Sequence, residues 1–190
     1  MRYPASETAE KHQRILDEAT RLFRDRGFER VNISEIMKAA GLTHGSFYNH
    51  FDSKNALISS CIVHGATRSL ALIDAEEPTI NGKKNYVSEY LSTEHRDDPG
   101  SGCLMSALGS DVRREPSAQG VMTRFIHTFI DKIASRFPWQ KPRNARRDAI
   151  RVTAALVGAL ILARAVNDEE LSQEILREVG DGLRDGFREG

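Results

Sequence analysis

Apolar residues recur along this chain with a period near 3.6. Ile15, Ala19, Leu22 and Phe23 stand at i, i+4, i+7 and i+8, one face of an α-helix. The spacing predicts a helix from near Ser6 or Thr8 to Gly27, a residue suited to the left-handed backbone that ends helices. Asn32 opens a second, short helix. Asn is a strong N-cap, and Glu35 three residues on completes a capping-box pattern with Asn in the Ser/Thr position. Ile36 and Ala40 face one way, and Gly41 ends the segment. Thr43 is expected to cap a third helix whose buried side carries Phe47 and Phe51 at i and i+4. Asp52 or Ser53 then caps a fourth, longer helix through Leu57, Cys61, Ile62, Ala66 and Leu70.

Further along, Tyr86, Val87, Tyr90 and Leu91 predict one helix in a polar stretch, and residues 97–102 (DDPGSG) read as a loop. Helical spacing resumes at Leu104, Met105, Leu108 and Val112. Pro116 separates it from a run through Val121, Met122, Phe125, Ile126, Phe129, Ile130 and Ile133. Pro138 and Pro142 mark the next break, before helices over roughly 143–166 and 169–187. No alternating β-type run and no internal repeat occurs. The pattern gives an all-α fold of about nine helices, a compact three-helix head followed by a larger body, with the fourth helix shared between them.

Composition narrows the function classes. The chain has 190 residues with 27 Lys and Arg against 27 Asp and Glu. Zero net charge excludes a protein that coats nucleic acid through bulk charge. Residues 1–57 are barely basic, with nine Lys and Arg against eight acids, yet residues 36–51 hold Lys38 and no acid. Two cysteines make no disulfide framework, and no metal-type Cys/His spacing occurs. The polar N-terminus lacks an apolar signal core. The apolar run over 152–166 is too short for a bilayer and contains Thr153 and Arg164. A soluble cytoplasmic protein with no membrane partner is expected.

Two short helices joined by Gly41-Leu42-Thr43 form the core of a helix-turn-helix. The second, THGSFYNHF, contains no acid and is rich in short or planar hydrogen-bonding groups, as a helix entering a phosphate-lined groove requires. With Phe28, Ile36, Ala40-Gly41-Leu42-Thr43, Gly45, Phe47-Tyr48, His50-Phe51, Ser53-Lys54 and Leu57 in order, the stretch resembles the DNA-binding domain of the TetR/AcrR family of regulators. The resemblance implies a DNA-binding domain over 9–69, its motif over 32–51, and a regulatory, ligand-binding and dimerisation domain over 70–190. It implies that Thr43, Ser46, Tyr48, His50 and Lys54 bond phosphates, and that His44, Gly45 and Asn49 lie nearest the base edges. Asn32, where the family usually has Thr, joins this set. Protonation of His44 or His50 near phosphate would strengthen binding as pH falls.

The body must account for its apolar C-terminal pair. A helix apolar around most of its circumference is buried on two sides. Ala155, Gly158, Ala159, Leu162 and Ala163, with Leu171, Ile175, Val179 and Leu183 on the last helix, therefore read as a four-helix dimer interface. A central helix buried within a monomer is the alternative. Leu104, Met105, Leu108, Met122, Phe125, Phe129 and Trp139 supply surface for a ligand cavity, with His64, His95 and His127 as polar handles. Plain core packing accounts equally well for each. Cys103 begins a helix, where a thiol is acidified and can sense redox change or electrophiles; a small buried apolar Cys is the plainer reading. The whole is expected to be a ligand-responsive repressor, a homodimer on a pseudo-palindromic duplex operator, with an unidentified small-molecule effector, no cofactor, no metal and no catalytic residue. The alternatives are an architectural or adaptor helix-turn-helix protein and a cysteine-dependent enzyme.

Overall fold

The computed structural model describes residues 5–187. Residues 1–4 of the polar N-terminus lie outside that range. Among the described residues there are nine α-helices and no strand: α1 (Ala5–Arg26), α2 (Ile33–Ala39), α3 (Lys54–Ala75), α4 (Ile80–Tyr90), α5 (Thr93–Asp97), α6 (Leu104–Val112), α7 (Pro116–Arg136), α8 (Ala145–Ala165) and α9 (Glu169–Gly186). Two 3₁₀ segments, His44–Asn49 and Pro142–Asn144, interrupt the series. The all-α architecture is the one that the 3.6 period predicts.

Local chemistry fixes the head. Ile15, Ala19, Leu22 and Phe23 of α1 are all buried. They meet Ile36 and Met37 of α2, and Phe47 and Phe51 beyond the turn, in one apolar core. Gly27 ends α1 with φ 79°. The Asn32–Glu35 capping box is formed in both directions. Gly41 takes φ 70° at the turn, a conformation that strains residues with a Cβ. The third element departs from expectation. It is a 3₁₀ segment rather than an α-helix, and Thr43 caps nothing with its side chain. Gly45, Ser46 and Asn49 have weak helix propensity, and a six-residue segment has little length over which α-helical hydrogen bonds accumulate.

The fourth predicted helix is α3, capped by Ser53 through the Ala56 amide. It packs on α1 in the head and on α7 in the body, and it crosses residue 70 unbroken. By length and composition α3 is apolar enough to span a bilayer. Here its Leu57, Ile58, Cys61 and Ile62 are buried against neighbouring helices, and burial pushes the Cys61 thiol up to about 12. Side chains bolt head to body around Phe28, whose N–H donates to Asp111 Oδ2 at 3.1 Å while its carbonyl accepts from Lys54 Nζ at 2.6 Å.

In the body, Arg164 stitches three elements together. It donates to the carbonyls of His95 (2.6 Å) and Arg96 (2.9 Å) on α5 and to Ser106 Oγ (3.0 Å) on α6. Lys83 of α4 is 3% exposed. Its ammonium lies 3.2 Å from the Trp139 ring centroid and 4.1 Å from that of Phe187, and donates to the Pro138 carbonyl at 3.1 Å. Burial lowers its pKa from 10.5 to about 8, against the pull of the two ring faces toward the charged form. Between those values the unfolded chain binds the proton and the folded chain does not, so this group adds stability as pH rises. Thermal melts from about pH 7 to pH 9.5 are expected to show a midpoint rising with pH relative to Lys83→Met. Parallel curves for the two proteins would show that the aromatic pair keeps Lys83 charged.

Candidate nucleic-acid interface and effector cavity

The 3₁₀ segment turns one face inward and leaves the other to solvent. Phe47 is 0% exposed, whereas Tyr48 is 62% exposed, and Thr43, His44, Gly45 and Asn49 share the open side. His44 Nδ1 meets Ser34 Oγ at 2.9 Å, which orients the ring across the turn. Ser46 Oγ donates to the Thr43 carbonyl at 2.7 Å. A Cβ built on Gly45 would meet nothing within 4 Å, so the chain's own packing does not require glycine there. Close approach of an external surface would. Asn32 is exposed at the edge of this face, its side chain engaged in the α2 cap.

Two members of the proposed phosphate set sit differently. The Lys54 ammonium is bonded to the Phe28 carbonyl, with burial lowering its pKa. In the unbound protein one donor of this ammonium is engaged at the Gly27-Phe28 turn. His50 is half-buried, its ring centroid 5.9 Å from that of His12. Desolvation and the His12 and Lys11 charges lower its pKa, which works against an imidazolium at neutral pH in the unbound protein.

The body holds a partly open cavity of about 220 Å³ where α1, α3, α4, α5, α6 and α7 converge with the loop before α6. Of the residues expected to face a ligand, His95, Met105, Phe125 and Phe129 line it. The others do not, for separate reasons. His64 Nε2 bonds Asp17 Oδ1 at 2.8 Å. Leu104 and Leu108 are core residues, 0% and 1% exposed. Met122 borders an open groove between α7 and α8. Trp139 covers Lys83 and donates Nε1–H to the Ala134 carbonyl. Arg24, Arg68, Tyr86 and Tyr90 complete the cavity instead. His95 Nδ1 lies 2.6 Å from the Tyr90 carbonyl, and its Nε2 accepts from the Cys103 amide at 2.9 Å. Those partners assign a neutral ring with its proton on Nδ1, and burial lowers its pKa accordingly. Cys103, at the N-cap of α6, is buried on the cavity wall.

On α8, Ile161 and Leu162 are exposed, with Ile150 a few turns earlier. Leu171 of α9 is exposed, and Ala155, Gly158, Ile175, Val179 and Leu183 are half-buried. Ala159 and Ala163 are 3% exposed within the single chain. They face the molecule's own core, whereas Ala155 and Gly158 remain partly open to solvent.

The architecture is a helix-turn-helix head joined to an all-helical body that holds a cavity. Residues 15–61 match the family of bacterial regulatory proteins described as the tetR family. The chain is 30% identical over 122 residues to the HTH-type transcriptional repressor DhaR of Mycobacterium sp. (strain GP1), spanning 62% of this chain and 59% of that one. It is 27% identical over 123 residues to the transcriptional regulator UidR of Escherichia coli K12, spanning 65% and 62%. Matches to these relatives thus span less than two thirds of their length. In fold, it resembles the reduced form of E. coli NemR, with a TM-score of 0.76 at 20% identity over 92% of this chain and 95% of that one. A TetR-family regulator from Agrobacterium tumefaciens gives a TM-score of 0.74 at 19% identity, over 90% and 96%. The family likeness thus lies in the DNA-binding head, over residues 15–61, and the fold of the whole chain is that of these solved structures.

Proposed function

We propose that this protein is a homodimeric, effector-responsive transcriptional repressor acting on a pseudo-palindromic operator in the cytoplasm. Residues 9–69 bind duplex DNA, and residues 70–190 bind the effector and the partner subunit. The observation that carries this reading is the acid-free, solvent-facing surface of residues 43–49 mounted on a buried aromatic core. Thr43, Ser46, Tyr48 and His50 contact phosphates, and His44, Gly45 and Asn49 lie at the base edges, where Asn can read adenine through two hydrogen bonds. The exposed apolar side chains of α8 and α9 pair with their copies across a two-fold axis. Two heads related that way read major-groove turns about 34–36 Å apart. An effector that binds the cavity better in a splayed state shifts the population away from DNA. Nothing in this reading calls for a cofactor or a reaction.

Gly45 provides the test. Gly45→Leu is expected to leave the unfolding free energy within about 0.5 kcal/mol of wild type, because its side chain enters open space. It should weaken binding to a palindrome from the protein's own promoter region at least about tenfold, roughly 1.4 kcal/mol, by fluorescence anisotropy. Equal affinity of wild type and variant would remove these residues from the groove. Equal affinity for all sequences would make the protein architectural rather than regulatory.

A further inference from the structure

Arg24 occupies the last turn of α1 and is only 5% exposed. A buried guanidinium needs hydrogen bonds for its donors and a countercharge. Arg24 has little of either. Nη1 donates to the Gly100 carbonyl at 3.3 Å, Nε has no partner, and no carboxylate lies within ion-pair distance among the described residues. Arg68 of α3 adds a second positive charge nearby, with Asp98 the acid that opposes it. The site is nevertheless built for Arg24. A Cβ on Gly65 of α3 would stand 2.5 Å from Arg24 Nη2, so glycine at that position leaves the guanidinium room to lie against α3.

A second polar group in the same cavity is also short of a partner. The Tyr90 hydroxyl is buried with no oxygen or nitrogen to bond, and its polar company is the Cys103 thiol, a weak hydrogen-bonding group. His95 does not answer either donor, since both its nitrogens are committed. Arg24 and Tyr90 line the cavity together, and Phe125, Phe129 and Leu72 supply its apolar wall. At about 220 Å³ it is smaller than the roughly 300–1,000 Å³ that drug-sized ligands occupy. Exposed Glu89 at the cavity edge disfavours a second negative charge on the occupant.

We infer that the cavity binds a small aromatic monocarboxylate, its carboxylate on the Arg24 guanidinium and the Tyr90 hydroxyl, its ring against the wall that Phe125 and Phe129 form. The ligand supplies what the chain lacks: one negative charge and acceptors for two buried donors. It also ties α1 to α3 at Gly65, next to Phe23 in the head core, which gives the effector a direct hold on the DNA-binding domain. This deepens the effector-responsive reading and rests on it for its regulatory consequence, though not for the binding itself.

Calorimetric titration of the full chain with benzoate, phenylacetate and the uncharged isostere benzamide tests the inference. The carboxylates are expected to bind at least about tenfold tighter than benzamide. Arg24→Gln should weaken them by roughly tenfold to a hundredfold and leave benzamide unaffected. Tyr90→Phe, which removes one oxygen and preserves packing, should weaken the carboxylates several-fold and covers the case in which Arg24→Gln does not fold. No binding of either carboxylate to wild type, or binding indifferent to both substitutions, overturns the inference. Anisotropy on promoter DNA in the same solutions separates the two claims. Carboxylate binding without DNA release supports the site and overturns its role as the effector site. DNA release by another molecule, with no carboxylate binding, overturns the site alone.

Discussion

Replacing Phe47 by alanine is expected to cost about 3–5 kcal/mol of stability and to abolish DNA binding. Phe47 is fully buried. Its ring packs edge-on to Tyr48 at 5.2 Å and beside Phe51 at 5.8 Å. Its carbonyl accepts from the amides of His50 and Phe51. A six-residue 3₁₀ segment has few hydrogen bonds of its own, so this side chain is its main anchor to α1 and α2. Domains are stable by only about 5–15 kcal/mol, and a loss of this size leaves the head largely unfolded near physiological temperature. Tyr48→Ala is the companion measurement. Tyr48 is exposed, so its removal should change stability by less than about 0.5 kcal/mol while weakening DNA binding. Urea denaturation followed by circular dichroism gives the first quantity and anisotropy the second. A Phe47→Ala cost below about 1 kcal/mol would mean that the segment is held by something other than its aromatic core.

The paired substitution Ile161→Glu and Leu162→Glu is expected to convert the proposed dimer to monomer without melting the body. Both side chains are exposed in the single chain, so placing carboxylates there costs little within a subunit. Across a two-fold axis it sets like charges against one another and removes apolar area. Two linked heads gain roughly 10²- to 10⁴-fold over one through effective concentration. Operator affinity should therefore fall by about that factor while helix content is retained. Analytical ultracentrifugation reads the mass and anisotropy the affinity. A double variant that stays dimeric would place the interface on another face.

The head was legible because its determinants are local. The α1 stripe, the Asn32–Glu35 box, Gly41 and the Phe47–Phe51 pair each act within a turn or two of chain, so spacing alone reports them. The segment after Thr43 was misread as an α-helix because two aromatics at i and i+4 are buried in either helical form. The internal bond of Lys54 was illegible for a different reason. Nothing in its neighbourhood shows that the Phe28 carbonyl, 26 positions earlier, requires a donor. The cavity was the least legible part. Arg24, Tyr90 and His95 come from α1, α4 and α5 and meet only when the body folds. An arginine in the last turn of an amphipathic helix looks like a solvated charge that complements the helix dipole. One signal did exist: Gly65 falls among the apolar residues of α3, where a glycine costs stability unless something lies against it. Trp139 drew attention as an aromatic, but the partner that holds it is a buried lysine far back along the chain, on α4.

Because α3 runs unbroken from the head core past the cavity, it behaves as a lever arm. Its 22 residues make a rod about 33 Å long at 1.5 Å per residue. Gly65, against which Arg24 lies, sits near its midpoint. A tilt of about ten degrees about that point would sweep each end through roughly 3 Å, close to the axial rise of one base pair. In a two-fold dimer both heads move together and in opposite senses, so the mismatch with the groove doubles. A modest displacement at the cavity thus has the mechanical gain to take the whole molecule out of step with its operator.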